Sequence, residues 1–274
     1  MDRIKMGDRL AWAVAVLAAL AAVAGFVTNV YWDSPEMIRQ AHAADASILV
    51  AVPLLAVGLW SARRAALAGR VVALGVLGFL VYTYAFYAFD VRVTILTPLH
   101  IAIISLATWS LFLVVPALGV EPPATDVGTR LPRRATGGLS LLRAAFFALM
   151  WIGQMAGAVR SGQLPPEVAE LNVPTNIVWT LDLAFALSIL VVAGLWLLRA
   201  RPWGPALAVG WFVFGALTAL EILAIFAYDS AAGKPLDAPV VGLFALMLVV
   251  LTALVFVGIL PSPRHEAVTR PSRA

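Results

Sequence analysis

Eight stretches of this sequence are long and apolar enough to cross a bilayer as helices: about 10–30, 46–62, 71–89, 96–117, 138–158, 177–198, 204–228 and 239–260. A hydrocarbon core of about 30 Å takes about 20 residues of helix. Inside it every backbone N–H and C=O has to be satisfied within the segment, so runs of this length are expected as helices. The breaks between them are short and carry Pro, Gly and charge. Composition points the same way, with 12% charged and 62% hydrophobic residues and a mean hydropathy of +0.94. A soluble domain carries about 25% charged residues, and a disordered chain cannot hold so much apolar surface in water. The expected fold is an all-α integral membrane protein with eight transmembrane helices. The second helix is the shortest of the eight by this reading, and Pro53 within it removes a backbone hydrogen bond and predicts a kink.

Orientation follows from Lys and Arg. With the N-terminus in the cytoplasm, 15 of the 19 basic residues fall on that side, in every loop. Arg39, Arg92, Arg160 and Lys234 fall on the other. An omitted or extra helix would scramble this alternation, so the charges support the count as well as the direction. The net charge of +4 and pI near 9.8 are therefore a topology signal, and no nucleic-acid partner is expected. The first helix reads as an uncleaved span rather than a secretory signal. Both termini are expected in the cytoplasm of a bacterium, with the chain in its inner membrane.

The two halves look like a duplication, with residues 1–120 and 138–260 as parallel four-helix repeats, 121–137 as a cytoplasmic linker and 261–274 as a disordered tail. Gly58-Leu59-Trp60 matches Gly194-Leu195-Trp196, each before a basic turn. Ser34-Pro35-Glu36 resembles Pro165-Pro166-Glu167, and Pro98 and Pro239 both open the last span of their half. Four helices per half is an even number, so the repeats would be related by an axis along the membrane normal, and ligand sites in such proteins tend to lie between repeats. The "YTYAFYAF" at 82–89, the helix led by Asp182 and the "RARPWG" turn at 199–204 resemble a family of bacterial polytopic membrane proteins with no assigned function. That resemblance implies a shared fold and supplies no substrate.

Ionisable groups inside spans are costly and usually face a protein interior or a water-filled cavity. Asp182 and Glu221 each lie about 10 Å in from the extracytoplasmic ends of their helices at 1.5 Å per residue. His100 enters at a similar depth, Tyr82, Tyr84 and Tyr87 pass through the same zone, and Gln154 approaches it from the fifth span. A polar acidic pocket in the outer third of the membrane is expected, with Asp182, Glu221, His100, Tyr82, Tyr84 and Gln154 as its ligand or proton site. Asp182 also reads as a helix cap if its helix starts late, and Asp45 reads as one more strongly. Glu221 lies too far inside its span to cap anything. Some of the tyrosines, and Trp32, Trp60, Trp179, Trp196 and Trp203, fit an aromatic interface belt. Arg143 reads as a snorkelling side chain. Gly153 and Gly157 match the small-xxx-small packing motif, read as internal helix packing.

Catalytic templates are missing: there is no His-Glu-x-x-His, P-loop or Gly-x-Ser-x-Gly with a triad. Cysteine is absent, and His42, His100 and His265 are the three histidines. No catalytic residue, metal or cofactor is expected. Three functions compete. The first is a transporter or permease for a small or amphiphilic ligand, with the acids as proton or cation sites. The second is a membrane scaffold or accessory subunit that binds another membrane protein. The third is an intramembrane lipid-modifying enzyme, which lacks a visible nucleophile. Membrane lipid is a partner in all three.

Overall fold

In the computed structural model, residues 3–64, 66–118 and 127–260 are described, and their regular structure is helical throughout. The helices are α1 (Arg3–Val27), α2 (Pro35–Arg63), α3 (Leu67–Phe89), α4 (Thr97–Ala117), α5 (Arg133–Ser161), α6 (Pro166–Leu171), α7 (Ile177–Leu181), α8 (Leu187–Leu198), α9 (Gly204–Ala231) and α10 (Ala238–Ile259). A π-helical turn, Asp182–Ala186, joins α7 and α8 into one rod. Eight helices are long and apolar enough to cross a membrane: α1 to α5, the α7–α8 rod, α9 and α10. The bundle's near end holds the start of α1 and the α2–α3 and α8–α9 turns. Its far end holds the connections after α1, α3, α5 and α9.

Local chemistry sets the far-end boundaries. Ser34 Oγ accepts the Met37 N–H with Pro35 at the first helical position, so α2 starts at residue 35 rather than about 46. At 29 residues α2 is thus one of the longest helices, and it runs unbroken past Pro53. Asp45, expected as its cap, is instead a buried residue in its interior. Asn176 caps α7 through Val178 N–H, and Asp237 caps α10 through Val240 N–H. Gly162 and Asn172, both left-handed at φ 67° and 60°, close α5 and α6, as such residues commonly do. At the near end α5 already begins at Arg133. The segment before it folds back, with Gly128 N–H on Gly258 O at 2.7 Å. Residues 121–126 of the expected linker and the tail from 261 lie outside the described residues.

In the first half α1, α2, α3 and α4 pack in a ring, each against the next and α4 against α1. In the second half α5 packs on α8, α8 on α9 and α9 on α10, while α5 and α10 barely meet. The halves join through α9, which lies against both α2 and α3. That makes α3 the most enclosed span and α10 the least. The main core runs through the ring and reaches α9 at Val213, Phe214 and Leu217. Gly153 and Gly157 face open space, with nothing within 4 Å of an added Cβ, so they do not pack helices inside the chain.

Candidate functional site

Three carboxyls that belong to spans are each held by a hydroxyl of α3. Tyr82 Oη donates to Asp182 Oδ1 at 2.9 Å, and Thr83 Oγ1 donates to Glu221 Oε2 at 2.9 Å. Tyr87 Oη lies 2.7 Å from Asp45 Oδ1. At 100° per residue, Thr83 and Tyr87 share one stripe of the helix and Tyr82 lies to its side. One helix therefore reaches α2 and α9 along that stripe and the α7–α8 rod beside it. The neighbouring pair Tyr82–Thr83 holds acids from two different helices of the second half.

Each carboxyl is met by neutral donors. Asp182 Oδ2 accepts the Trp151 indole N–H at 2.7 Å. Asp45 Oδ2 accepts the Tyr31 hydroxyl at 2.9 Å. Among the described residues none of the three has a basic group within ion-pair distance. Glu221 lies within electrostatic range of both Asp45 and Tyr82. Tyr87 Oη is also 2.7 Å from Ala41 O. A phenol carries one proton, so it serves one of these two acceptors at a time. When it donates to Ala41 O, the contact with Asp45 needs a proton on the carboxyl. Gly25 makes room for this cluster, since a Cβ there would sit 2.1 Å from Asp45 Oδ2.

The π turn shapes the site at Asp182. Its i→i+5 bond, Leu187 N–H to Asp182 O, takes from Leu183 O its usual i+4 donor, and Ser188 Oγ donates there at 3.1 Å, while Trp211 Nε1 donates to Ala186 O at 3.0 Å. Such turns recur at functional sites. Asp182 is therefore neither first in its helix nor a cap, which removes the capping alternative. Arg143 of α5 is the basic group in electrostatic range of Asp182. It does not snorkel, because its guanidinium lies against Gly215 of α9.

The other expected members are placed apart from Asp182 and Glu221. His100 is buried at 2% exposure and packs at a tilt against Tyr87 and Tyr84, with centroids 4.6 and 5.5 Å away. Tyr84 donates to Ala18 O at 3.3 Å, inside the first-half ring. Gln154 accepts from Trp179 Nε1 at 3.1 Å and lines an open far-end cleft of about 360 Å³ with Ser161 and Pro166. Trp179 is buried by that bond and is no belt residue, and Tyr84 and Tyr87 are likewise interior. Trp32 and Trp60 are exposed as expected. Asp45 was missed because an early-span Asp has the signature of a cap. Thr83 and Trp151 carried no signal, since Thr and Trp are ordinary in spans.

At the far end, outside the spans, Asp90 Oδ2 accepts the Ile177 N–H and ties the end of α3 to the start of α7. Burial pushes its carboxyl up to about 6, against which the Ile177 N–H works. Lys234 bonds Glu36 and, at 2.7 Å, Glu170, and these partners hold its ammonium above the usual lysine range. Glu36 also bonds Arg39, which reaches Asp229 at 2.8 Å. This network clamps α2, α6 and the end of α9 together. No family model, curated protein or solved structure matches the chain.

Proposed function

We propose that the chain is a multi-pass membrane protein of permease type that moves a small or amphiphilic ligand, with Glu221 and Asp182 carrying protons or a cation. The observation behind this is the row of carboxyls held by hydroxyl and indole donors where the halves meet. A carboxylate paired with Arg or Lys resists protonation, because gaining the proton breaks an ion pair. One held by neutral donors gains or loses a proton and keeps its partners, with the hydroxyl turning from donor to acceptor. Tyr82, bonded to Asp182 and within electrostatic range of Glu221, then lies between the two acids. The phenol shared between Ala41 O and Asp45 supplies a third place for a proton.

In this reading the far end faces outward from a bacterial inner membrane, both termini are cytoplasmic, and the halves are parallel repeats. The sequence landmarks and the Lys/Arg bias support that orientation. A site at the seam of the halves is suited to coupling, since any relative shift of α9 against α3 changes the bonds of Thr83 and Tyr82.

The test is proton flux in liposomes of purified protein containing a pH-sensitive dye. Glu221→Gln is expected to lower flux at least tenfold while leaving the yield of folded protein unchanged, and Thr83→Val to lower it less. Unchanged flux in Glu221→Gln, together with a raised melting temperature, would mark a tolerated structural carboxyl and end the proposal. Wild-type flux no greater than that of empty liposomes would favour the scaffold reading.

A further inference from the structure

Arg143 takes no part in the row of carboxyls, and its surroundings are unusual for a charged side chain. It lies ten residues into α5, about 15 Å along the helix. Its partner in space, Gly215, lies eleven residues into α9, about 17 Å along it. Both depths put the guanidinium in the middle of the bundle rather than at an end. A Cβ on Gly215 would sit 3.1 Å from Nη1 and 3.3 Å from Nη2, and 3.0 Å from Leu251 of α10. Only a glycine leaves the planar group its place between α5, α9 and α10.

Nη1 is buried there with no hydrogen-bond partner. No described carboxylate comes within ion-pair distance of the guanidinium. Asp182, the acid in electrostatic range, has one oxygen on Tyr82 and the other on Trp151. The side chain as a whole is only partly buried, but a guanidinium nitrogen stripped of water and left without an anion is unfavourable. Arg is also the side chain whose planar fork of N–H donors best matches an oxyanion. The helices around it leave a way in. The seam between α5 and α10 is the one that the second half does not pack shut, and it is bridged by the ring pair Phe147–Phe244, 6.2 Å between centroids.

We infer that the seam between α5, α9 and α10 is a binding site for a single oxyanion, a carboxylate or phosphate group, held by Arg143. The group belongs either to a free anion or to the head of an amphiphile that enters sideways between α5 and α10. Apolar walls such as Leu251, Phe147 and Phe244 suit the chain of an amphiphile. The site rests on the reading of the helices as membrane spans and not on proton movement by Glu221.

The test is thermal unfolding of full-length protein in zwitterionic detergent at fixed ionic strength. The probes are phosphatidylglycerol, dodecanoate, inorganic phosphate and acetate, with phosphatidylcholine as reference. Wild type is expected to show a saturable rise in melting temperature with at least one anionic probe. Arg143→Gln should weaken its apparent Kd at least tenfold, and Arg143→Lys should weaken it less. Gly215→Ala should weaken it by displacing the guanidinium, and it carries the test if Arg143→Gln does not fold. Arg92→Gln, a far-end surface change, should respond like wild type. A response to phosphate or acetate assigns a free anion, and one confined to phosphatidylglycerol or dodecanoate assigns an amphiphile. No response to any anion, or equal responses from wild type, Arg143→Gln and Gly215→Ala, overturns the inference. Binding is read without flux, so a protein that holds the anion yet moves no protons refutes the permease proposal alone.

Discussion

The two halves solve the same problem differently. In the first, α1 to α4 close into a ring, and the second helix runs unbroken from Pro35 to Arg63. In the second, the helical chain between α5 and α9 is in three pieces: α6 ends at left-handed Asn172, α7 restarts at Ile177, and the π turn at Asp182 interrupts the rod. The first half buries its acid, Asp45, among Tyr31, Tyr87 and the space left by Gly25. The second half holds Asp182 where the helix is irregular and leaves Arg143 with an orphaned nitrogen. Closed packing is hard to disturb, because a tight interior resists any change of volume, yet it does not satisfy every polar group: Trp12 Nε1 and His42 Nδ1 in the ring are buried without a partner, as Arg143 Nη1 is in the second half. What separates the halves is the backbone, since the irregular turn at Asp182 leaves a carbonyl for a side chain to satisfy.

The largest effect expected to sharpen this contrast comes from paired glycine substitutions. Gly25→Val drives a side chain into Asp45 and should cost about 3 kcal/mol through overpacking. Gly153→Val in the second half meets nothing and should change stability by less than about 0.5 kcal/mol. Thermal melting of the two purified variants decides, and equal losses would break the comparison.

The acids give the next largest difference. Asp45→Asn puts an amide where the carboxyl accepts from two phenols in a closed core, and should cost about 2 kcal/mol. Asp182→Asn keeps one acceptor for Tyr82 or Trp151 in a looser setting, and should cost less than about 1 kcal/mol while lowering flux as Glu221→Gln does. Denaturation in a mixed-detergent series measures both. A larger stability loss in Asp182→Asn would reverse the assignment of structural and functional halves.

The smallest effect concerns Asp90, whose carboxyl joins the halves at the far end. Its value in the folded protein, about 6, lies above the ordinary 3.8. The folded state therefore holds the proton over a range where the unfolded chain has lost it. Stability from this group is full below pH 4, falls as the pH rises through about 6, and is level above that. Asp90→Asn, which still accepts the Ile177 N–H, should flatten this part of the stability profile. A profile as steep in Asp90→Asn as in wild type would remove Asp90 as its source.

Eight apolar runs and an alternating basic pattern were enough to place eight long helices, because hydrophobic length and charge are properties of the chain read in order. Glu221 was legible as an acid inside a span for the same reason, lying too deep in its helix to cap it. Tyr82 was legible only as one of three tyrosines, since period 3.6 shows that they part ways without showing what each meets. Asp45, Thr83 and Trp151 became visible through their partners, which lie from 14 to 138 residues away in sequence. His100 and Gln154 shared a depth with the acids but not a direction, and depth along a helix is all that counting residues provides. Arg143 has the sequence signature of a snorkelling residue. Whether its guanidinium turns to the surface or into the bundle depends on a glycine 72 positions later and on a seam that α5 and α10 leave open. Sequence determined which segments are helices and how far in each polar group lies. Rotation of each helix about its axis, and with it every hydrogen bond between spans, was decided by tertiary packing, because side chains all around these helices are apolar enough to face either lipid or protein.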